Sequence, residues 1–353
     1  MGSLSMASAK SSFDNSQLFS RLSQNIEGDV LFDAFNRGRY STDASIYQID
    51  PVGVVLPKTE QDLVSAVEIS VDSGVPILAR GGGTSQCGQT VNEAVVIDCS
   101  RYLNKILDFN AEQKTIKVQP GLVLDHLNAF LKPHGLFFPI DISTASRATI
   151  GGMTSNNSCG ARSIHYGIMV DNVRAIDAFL PSGEHFEFAH TPSKLDKLTE
   201  GQGYERIVRQ VREIAHRERI ELEKRFPKLK RRVGGYNLDT INPAGHNMAK
   251  LLVGSEGTLA TFKSIELQLH DIPKHRVMGV CHFPSFYSAM DATQHIVKLN
   301  PVAVELIDST MIDLARDIPI FRPVVESFVK GQPGALLLVE FAGEEFQYLP
   351  GKL

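Results

Sequence analysis

The residues that could do chemistry gather first in the run Ala79-Arg80-Gly81-Gly82-Gly83-Thr84-Ser85-Gln86-Cys87-Gly88-Gln89. Consecutive glycines reach φ > 0 and carry no Cβ, so successive backbone N–H groups can converge on an anion. Arg80, Thr84, Ser85 and Gln89 add side-chain donors for phosphate or sugar oxygens. No carboxylate stands in the run to oppose a negative charge. An irregular surface turn is the competing reading of one such loop. A second run, 138–162, repeats the pattern, with Thr149, Gly151, Gly152, Ser155, Asn156 and Gly160 offering open backbone and hydroxyl or amide groups. Two such loops point to an extended ligand, larger than a lone phosphate, lying across backbone amides. A third glycine-bearing turn, 251–259, carries Glu256 and Gly257. A Cβ at Gly82 is expected to collide with the bound anion or to force a strained φ.

These loops need elements to hold them. A strand is expected at 51–56, then a helix capped by Thr59 with Asp62 in its first turn and Gly74 ending it. Its apolar face reads Leu63, Val64, Val67 and Val71. A short apolar strand, 75–78, then feeds the first glycine loop, and another follows at 94–98. Residues 17–35 read as helix and then irregular chain, and 37–45 as a polar turn. Strands 106–109 and 115–118 flank a hairpin turn, 123–131 is a short helix, and 138–162 is a loop. Strand 170–180 turns through Pro181-Ser182-Gly183-Glu184 into 185–188. Residues 205–232 read as one helix whose arginines alternate with Glu213, Glu218, Glu221 and Glu223, a solvated face rather than a nucleic-acid surface. After a strand ending near Leu269, composition changes at 271–274, and a β-α-β-α-β run (276–283, 285–299, 302–307, 309–316, 335–341) begins an α/β or ferredoxin-like layer.

Composition narrows the classes. With 42% apolar and 22% charged residues, 353 residues suffice for one large or two ordinary packed domains. A formal charge of -4 gives no argument for nucleic acid or an anionic membrane as partner. Cys87, Cys99, Cys159 and Cys281 include no C-x-x-C pair, so no metal site of cysteines is expected, and buried free thiols in a reducing compartment are. The serine-rich start, 1–16, lacks a secretory core and has Met6 where a myristoylation site wants Ser or Thr. No run is long enough to span a bilayer. A P-loop pattern is absent, as is a G-x-G-x-x-G opening a helix after a strand.

Further short motifs occur in order: His165-Tyr166-Gly167, Asp171-Asn172-Val173, Gly235-Tyr236-Asn237-Leu238 and Gly254-Ser255-Glu256-Gly257-Thr258-Leu259. With the two loops they make 41–269 resemble the flavin-binding domain of the vanillyl-alcohol oxidase and p-cresol methylhydroxylase (PCMH) superfamily. Within it they resemble the FAD-linked oxidase type 4 group, which includes D-lactate (cytochrome), glycolate and D-2-hydroxyglutarate dehydrogenases. The resemblance implies an α+β fold: an N-terminal segment, 1–45; a PCMH-type FAD-binding domain, 46–272, in two α+β subdomains (46–105 and 106–272); and the start of an α/β, ferredoxin-like cap, 273–353.

It further implies FAD as cofactor, its diphosphate on Gly81, Gly82, Gly83, Thr84 and Ser85 with Arg80 beside them. Gln89, Thr149, Gly151, Gly152, Ser155, Asn156 and Gly160 would line the rest, with Glu256 and Gly257 approaching from the second subdomain. No His or Tyr linkage residue stands in the first loop, so FAD is expected to be noncovalent. The implied reaction is hydride transfer from a D-2-hydroxy acid to flavin N5, with electrons passed on to a quinone, cytochrome or iron–sulfur protein. No metal or nucleic acid is implied. The expected location is cytoplasmic, against the inner face of the membrane at most. His165, Tyr166, Tyr236 and Asn237 could reach the flavin face, mainly in support. No general base is named, because relatives carry their histidine-bearing substrate motif in a part expected beyond Leu353. One alternative is a flavin-binding module inactive without that part, associating with itself or a partner chain. Another is a UDP-N-acetylenolpyruvoylglucosamine reductase-like enzyme, separable by reduction with NADPH.

Overall fold

The computed structural model describes residues 15–195, 201–348 and 351. The readings made on 1–14, including the N-terminal targeting motifs, lie outside the described residues. Among the described residues three sheets of three or more strands follow one another along the chain, beside two small two-stranded ones. The first is built from α1 (Asn15–Asn25), β1 (Asp29–Leu31), α2 (Ala34–Arg39), β2 (Gly53–Leu56), α3 (Glu60–Asp72), β3 (Ile77–Arg80) and β4 (Val95–Asp98). The strand order is β1-β2-β4-β3; β2, β4 and β3 are parallel and β1 is an antiparallel edge. Strands β2 and β4 are buried throughout, which is why they read as continuous apolar runs. Thr59 and Asp62 form a reciprocal capping box on α3. Its buried face is Leu63, Ala66, Val67 and Ser70, so Val71, at 41% exposed, does not belong to the expected stripe. The segment read as helix then irregular chain has its helix as α1 but also contains β1, and α2 takes in the first three residues of the expected turn at 37–45.

The second sheet follows β5 (Ile106–Asn110), β6 (Thr115–Val118), α4 (Leu124–Leu131), β7 (Leu136–Phe137), α5 (Ile150–Asn156), α6 (Ser163–Tyr166), α7 (Met169–Asn172), β8 (Val173–Phe179), β9 (His185–Phe188), β10 (His190–Pro192), α8 (Gly201–Arg217), α9 (Arg219–Arg225), β11 (Gly245–Asn247), α10 (Ala249–Leu252), β12 (Thr261–Gln268) and β13 (His270–Asp271). The order is β5-β6-β12-β8-β9, antiparallel throughout, with β12 returning between two earlier strands. Ile116, Val118, Ile176, Ile265 and Leu267 form the centre of its core, with Leu127, Ile150 and Val208 packed on them from the helices.

The single helix expected over 205–232 is two, interrupted at Glu218 and ended at Arg225, where Pro227 disfavours helix in the residue before it. Arg209, Arg217 and Arg219 pair with Glu205, Glu218 and Glu223, as a solvated face should. Arg212 differs: it donates to the Ser193 and Pro192 carbonyls at 3.0 and 2.6 Å and so clamps the chain after β10.

The third sheet has β14 (His275–Phe283), α11 (Phe286–Ile296), β15 (Ala303–Asp308), α12 (Ser309–Asp317), α13 (Arg322–Phe328) and β16 (Ala335–Gly343), with β16 between and antiparallel to the other two. Alternate residues of β16 serve two cores. Leu337, Val339 and Phe341 join a cluster with Ala289 of α11, while Leu336 packs with Ile312 of α12 and Val329. A central strand covered on both faces explains its apolar run, interrupted only by Glu340; α13 was not foreseen.

Candidate functional site

The first two glycine stretches are pressed together. A Cβ on Gly81 would run into Thr149 Oγ1, and one on Gly82 into the Arg147 carbonyl oxygen. Gly82 has no positive φ, so the expectation of backbone strain there is corrected: what demands glycine is close approach of the two loops. Gly83 does sit at φ +62°.

Arg80 also departs from its expected part. Its Nη1 donates to the Tyr40 and Thr90 carbonyls at 3.0 and 3.1 Å, and its Nη2 to the Thr42 carbonyl at 2.7 Å. Burial pulls its pKa below the ordinary value. Arg80 thus braces the 40–42 segment against the loop instead of reaching for an anion, and Ala44 N adds a bond to the Gly83 carbonyl at 3.1 Å. The backbone N–H groups of 82–87, by contrast, donate to no acceptor among the described residues. Ser85 and Gln89 are hydrogen-bonded to each other through their side chains.

The second stretch, expected as loop throughout, contains the helix α5. Thr149 caps it, its Oγ1 accepting from Gly152 N at 3.3 Å, and Asn157 at φ +55° ends it. Carbonyls at a helix C-terminus lack intrahelical partners, and the third turn supplies them. Gly254 N donates to the Thr154 carbonyl and Glu256 N to the Ser155 carbonyl, each at 3.0 Å. Asn156 Nδ2 donates to Glu256 Oε1 at 2.9 Å. Burial raises the Glu256 carboxyl above the usual range, against hydrogen bonds from Asn156 and Gln89 that favour its charged form. Gly160 packs so closely on Asp141 that a Cβ would strike it, and burial raises Asp141 too.

Together these segments enclose a cavity of about 640 Å3, within the size range of cofactor sites. Every expected site residue lines it: Arg80, Gly81, Gly82, Gly83, Thr84, Ser85, Gln89, Thr149, Gly151, Gly152, Ser155, Asn156, Gly160, Glu256 and Gly257. Asp141, Ser143, Thr144, Arg231 and Glu305 also line it and were not foreseen. The first three lie inside the second stretch and are polar, which could have flagged them. Arg231 was hidden in the supposed basic helix, and Glu305, on β15, carries no sequence signal.

His165, Tyr166, Tyr236 and Asn237 do not line the cavity. Asn237 is buried, donating to the Lys250 and Val253 carbonyls, Tyr236 bonds Thr258, and Tyr166 packs edge-on against His165, Phe137 and His270. The four cysteines are free, but only Cys99 is buried; burial pushes its thiol up to about 12. Among the described residues no group of His, Cys, Asp or Glu could hold a metal ion, and no helix is long and apolar enough to cross a membrane.

Comparison with known proteins gives two family matches: residues 51–189 to the FAD binding domain, and 272–350 to the C-terminal domain of FAD linked oxidases. The D-2-hydroxyglutarate dehydrogenase of Haemophilus influenzae is 33% identical over 334 residues, 91% of this chain and 32% of that protein. That of Escherichia coli is 32% identical over 337 residues, 91% of this chain and 33% of the relative. The mitochondrial D-lactate dehydrogenase (cytochrome) of Arabidopsis thaliana is 28% identical over 74% of this chain and 38% of its own. The chain spans about a third of the length of the hydroxyglutarate relatives. Among solved structures, alkyldihydroxyacetonephosphate synthase superposes with a TM-score of 0.69 at 19% identity, over 94% of this chain and 56% of that one, a likeness of fold.

Proposed function

We propose that the chain, whose residues 51–189 and 272–350 match the FAD binding domain and the C-terminal domain of FAD linked oxidases, is an FAD-dependent oxidoreductase of D-2-hydroxy acids. The observation that carries the reading is the run of amides at 82–87, free of acceptors among the described residues and belonging to residues that line a cavity of cofactor size. Backbone N–H groups fixed in such an array stabilise a diphosphate without a cation and without reorganising. Thr84 and Ser85 add hydroxyl donors, and Thr149, Gly151, Gly152, Ser155, Asn156, Gly160, Gln89, Glu256 and Gly257 wall the remainder. FAD, when bound, supplies the two-electron acceptor for hydride from a carbinol carbon. The first loop has neither His nor Tyr, so the cofactor is held without a covalent bond. The chain is read as an FAD-binding domain over 46–272 followed by cap residues, with a quinone, cytochrome or iron–sulfur protein taking the electrons.

The test is direct. Purified protein, reconstituted with FAD, is expected to release its colour on acid precipitation. Under anaerobic mixing with D-lactate, glycolate or D-2-hydroxyglutarate, one of them is expected to bleach the flavin absorbance. Failure to take up FAD would sink the cofactor assignment. A coloured protein bleached by NADPH and by no hydroxy acid would replace the dehydrogenase reading with a reductase.

Glu256 makes a pH-dependent contribution. Its raised pKa means the folded cavity favours the neutral acid. Its share of stability is therefore full below the ordinary value of 4.5 and lost as pH rises through the raised value. An ionised Glu256 also opposes a diphosphate in the same cavity. Glu256→Gln keeps an oxygen for Asn156 and removes the charge. FAD affinity of the wild type, by fluorescence titration, is expected to weaken with rising pH through that window. The variant's should stay flat and exceed it at pH 8. Parallel curves would contradict the assignment.

A further inference from the structure

Segment 226–233, beyond α9, carries two adjacent arginines with different surroundings. The Arg232 side chain is 15% exposed, bonds Asp239 Oδ1 at 2.6 Å and lies over the Phe226 ring at 4.6 Å. Its carbonyl accepts from Asn157 Nδ2 at 3.5 Å. That anchor fixes the backbone, and Arg231 lines the cofactor cavity, its Nη2 donating to Cys159 Sγ at 3.0 Å. Thiol sulfur is a weak acceptor, and no carboxylate pairs with Arg231 among the described residues. An exposed guanidinium with donors to spare thus lines the cavity.

Its position separates it from the glycine loop. Gly81 meets Thr149 at the N-terminal end of α5, whereas Cys159 lies beyond the C-terminal end. At 1.5 Å per residue these ends are on the order of 10 Å apart. Three residues after Cys159, Arg162 reaches Glu340 Oε2 on β16 at 3.2 Å, and Glu305 of β15 lines the same cavity. Through its bond to Cys159, Arg231 therefore stands beyond the C-terminal end of α5, away from the amides that suit a diphosphate.

We propose that Arg231 is the residue that holds the carboxylate of the hydroxy-acid substrate, an inference that rests on the oxidoreductase reading above. A guanidinium can grip a carboxylate through two parallel N–H···O bonds, and lysine cannot reproduce that fork. Such a grip orients the adjoining carbinol carbon, where position governs rate.

The test uses the FAD-loaded chain and oxalate, an unreactive carboxylate, followed by the shift of the flavin absorption bands. Arg231→Met is expected to weaken oxalate by about 10–100-fold, the loss of a charge-assisted pair, with Arg231→Lys in between. Thermal midpoint, FAD affinity and flavin midpoint potential should all stay at wild-type values. Unchanged oxalate affinity in Arg231→Met, or no oxalate response in the wild type, overturns the inference. So does a fall in FAD affinity or midpoint potential with oxalate binding intact, which would assign Arg231 to the flavin. Failure of the wild type to take up FAD would instead count against the function reading itself.

Discussion

Gly82→Val is expected to cost about 100-fold or more in FAD affinity while leaving the fold in place. The added Cβ would fall on the Arg147 carbonyl oxygen, 3.0 Å from its carbon and 3.5 Å from Ala148 N. These are backbone atoms, which cannot rotate aside as a flexible side chain would. Relief must come from displacing the first loop, which disperses the amides of 82–87. Each hydrogen bond to a charged group contributes about 1.5–3 kcal/mol, so losing two accounts for the expected factor. The sheet survives because the loop leaves β3 only after its last strand residue, Arg80, and contributes nothing to the apolar cluster beneath. Gly74→Ala separates backbone strain from loop contact: Gly74 sits at φ +67°, and a methyl group there would meet nothing within 4 Å. It should cost about 1 kcal/mol of stability or somewhat more and no FAD affinity. Isothermal titration with FAD reads both variants, and an unchanged affinity for Gly82→Val would remove the loop from the diphosphate site.

The two loops and the third turn were legible in the sequence because small residues in clusters have few other uses, and they do converge on one cavity. Their internal order was less legible. Gly151, Gly152 and Asn156 are poor helix formers, so 150–156 reads as loop. The helix forms because Thr149 caps one end and the 254–256 backbone satisfies the carbonyls at the other, a tertiary contact with residues about a hundred positions away. Arg80 read as an anion donor because the carbonyls that occupy it belong to Tyr40, Thr42 and Thr90, and nothing in a carbonyl's residue type announces it. Arg231 was lost in a charge run whose helical reading ignored Pro227. Strands β2, β4 and β16 were plain because both their faces are covered, whereas the three-residue edge β1 is only half-buried and leaves little pattern.

Asp62→Ala should produce the largest loss of stability, about 3–5 kcal/mol. The side chain is 2% exposed. Its Oδ1 accepts from Glu27 N at 2.9 Å, and its Oδ2 from Gly28 N, Lys58 N and Thr59 N at 3.0, 2.8 and 3.3 Å. No cation is needed, because converging amides and the positive end of α3 carry the compensating charge. One carboxylate thus ties the entry to β1 onto the turn between β2 and α3. Removing it leaves several N–H donors without an acceptor, each costing about 1–3 kcal/mol before relaxation. Thr59→Ala breaks only the other half of the capping box and should cost about 1 kcal/mol. Asp62→Asn should resemble Asp62→Ala more than wild type, since its NH2 would face donors instead of accepting from them. Urea unfolding measures all three, and Asp62→Ala within about 1 kcal/mol of wild type would mean that other acceptors replace the carboxylate. The same titration in excess FAD reports on the site. Because α3 and β3 lead to the glycine loop without Asp62 touching it, FAD should raise the stability of Asp62→Ala by the same increment as wild type. A smaller increment would show that the capping box also sets the geometry of the loop.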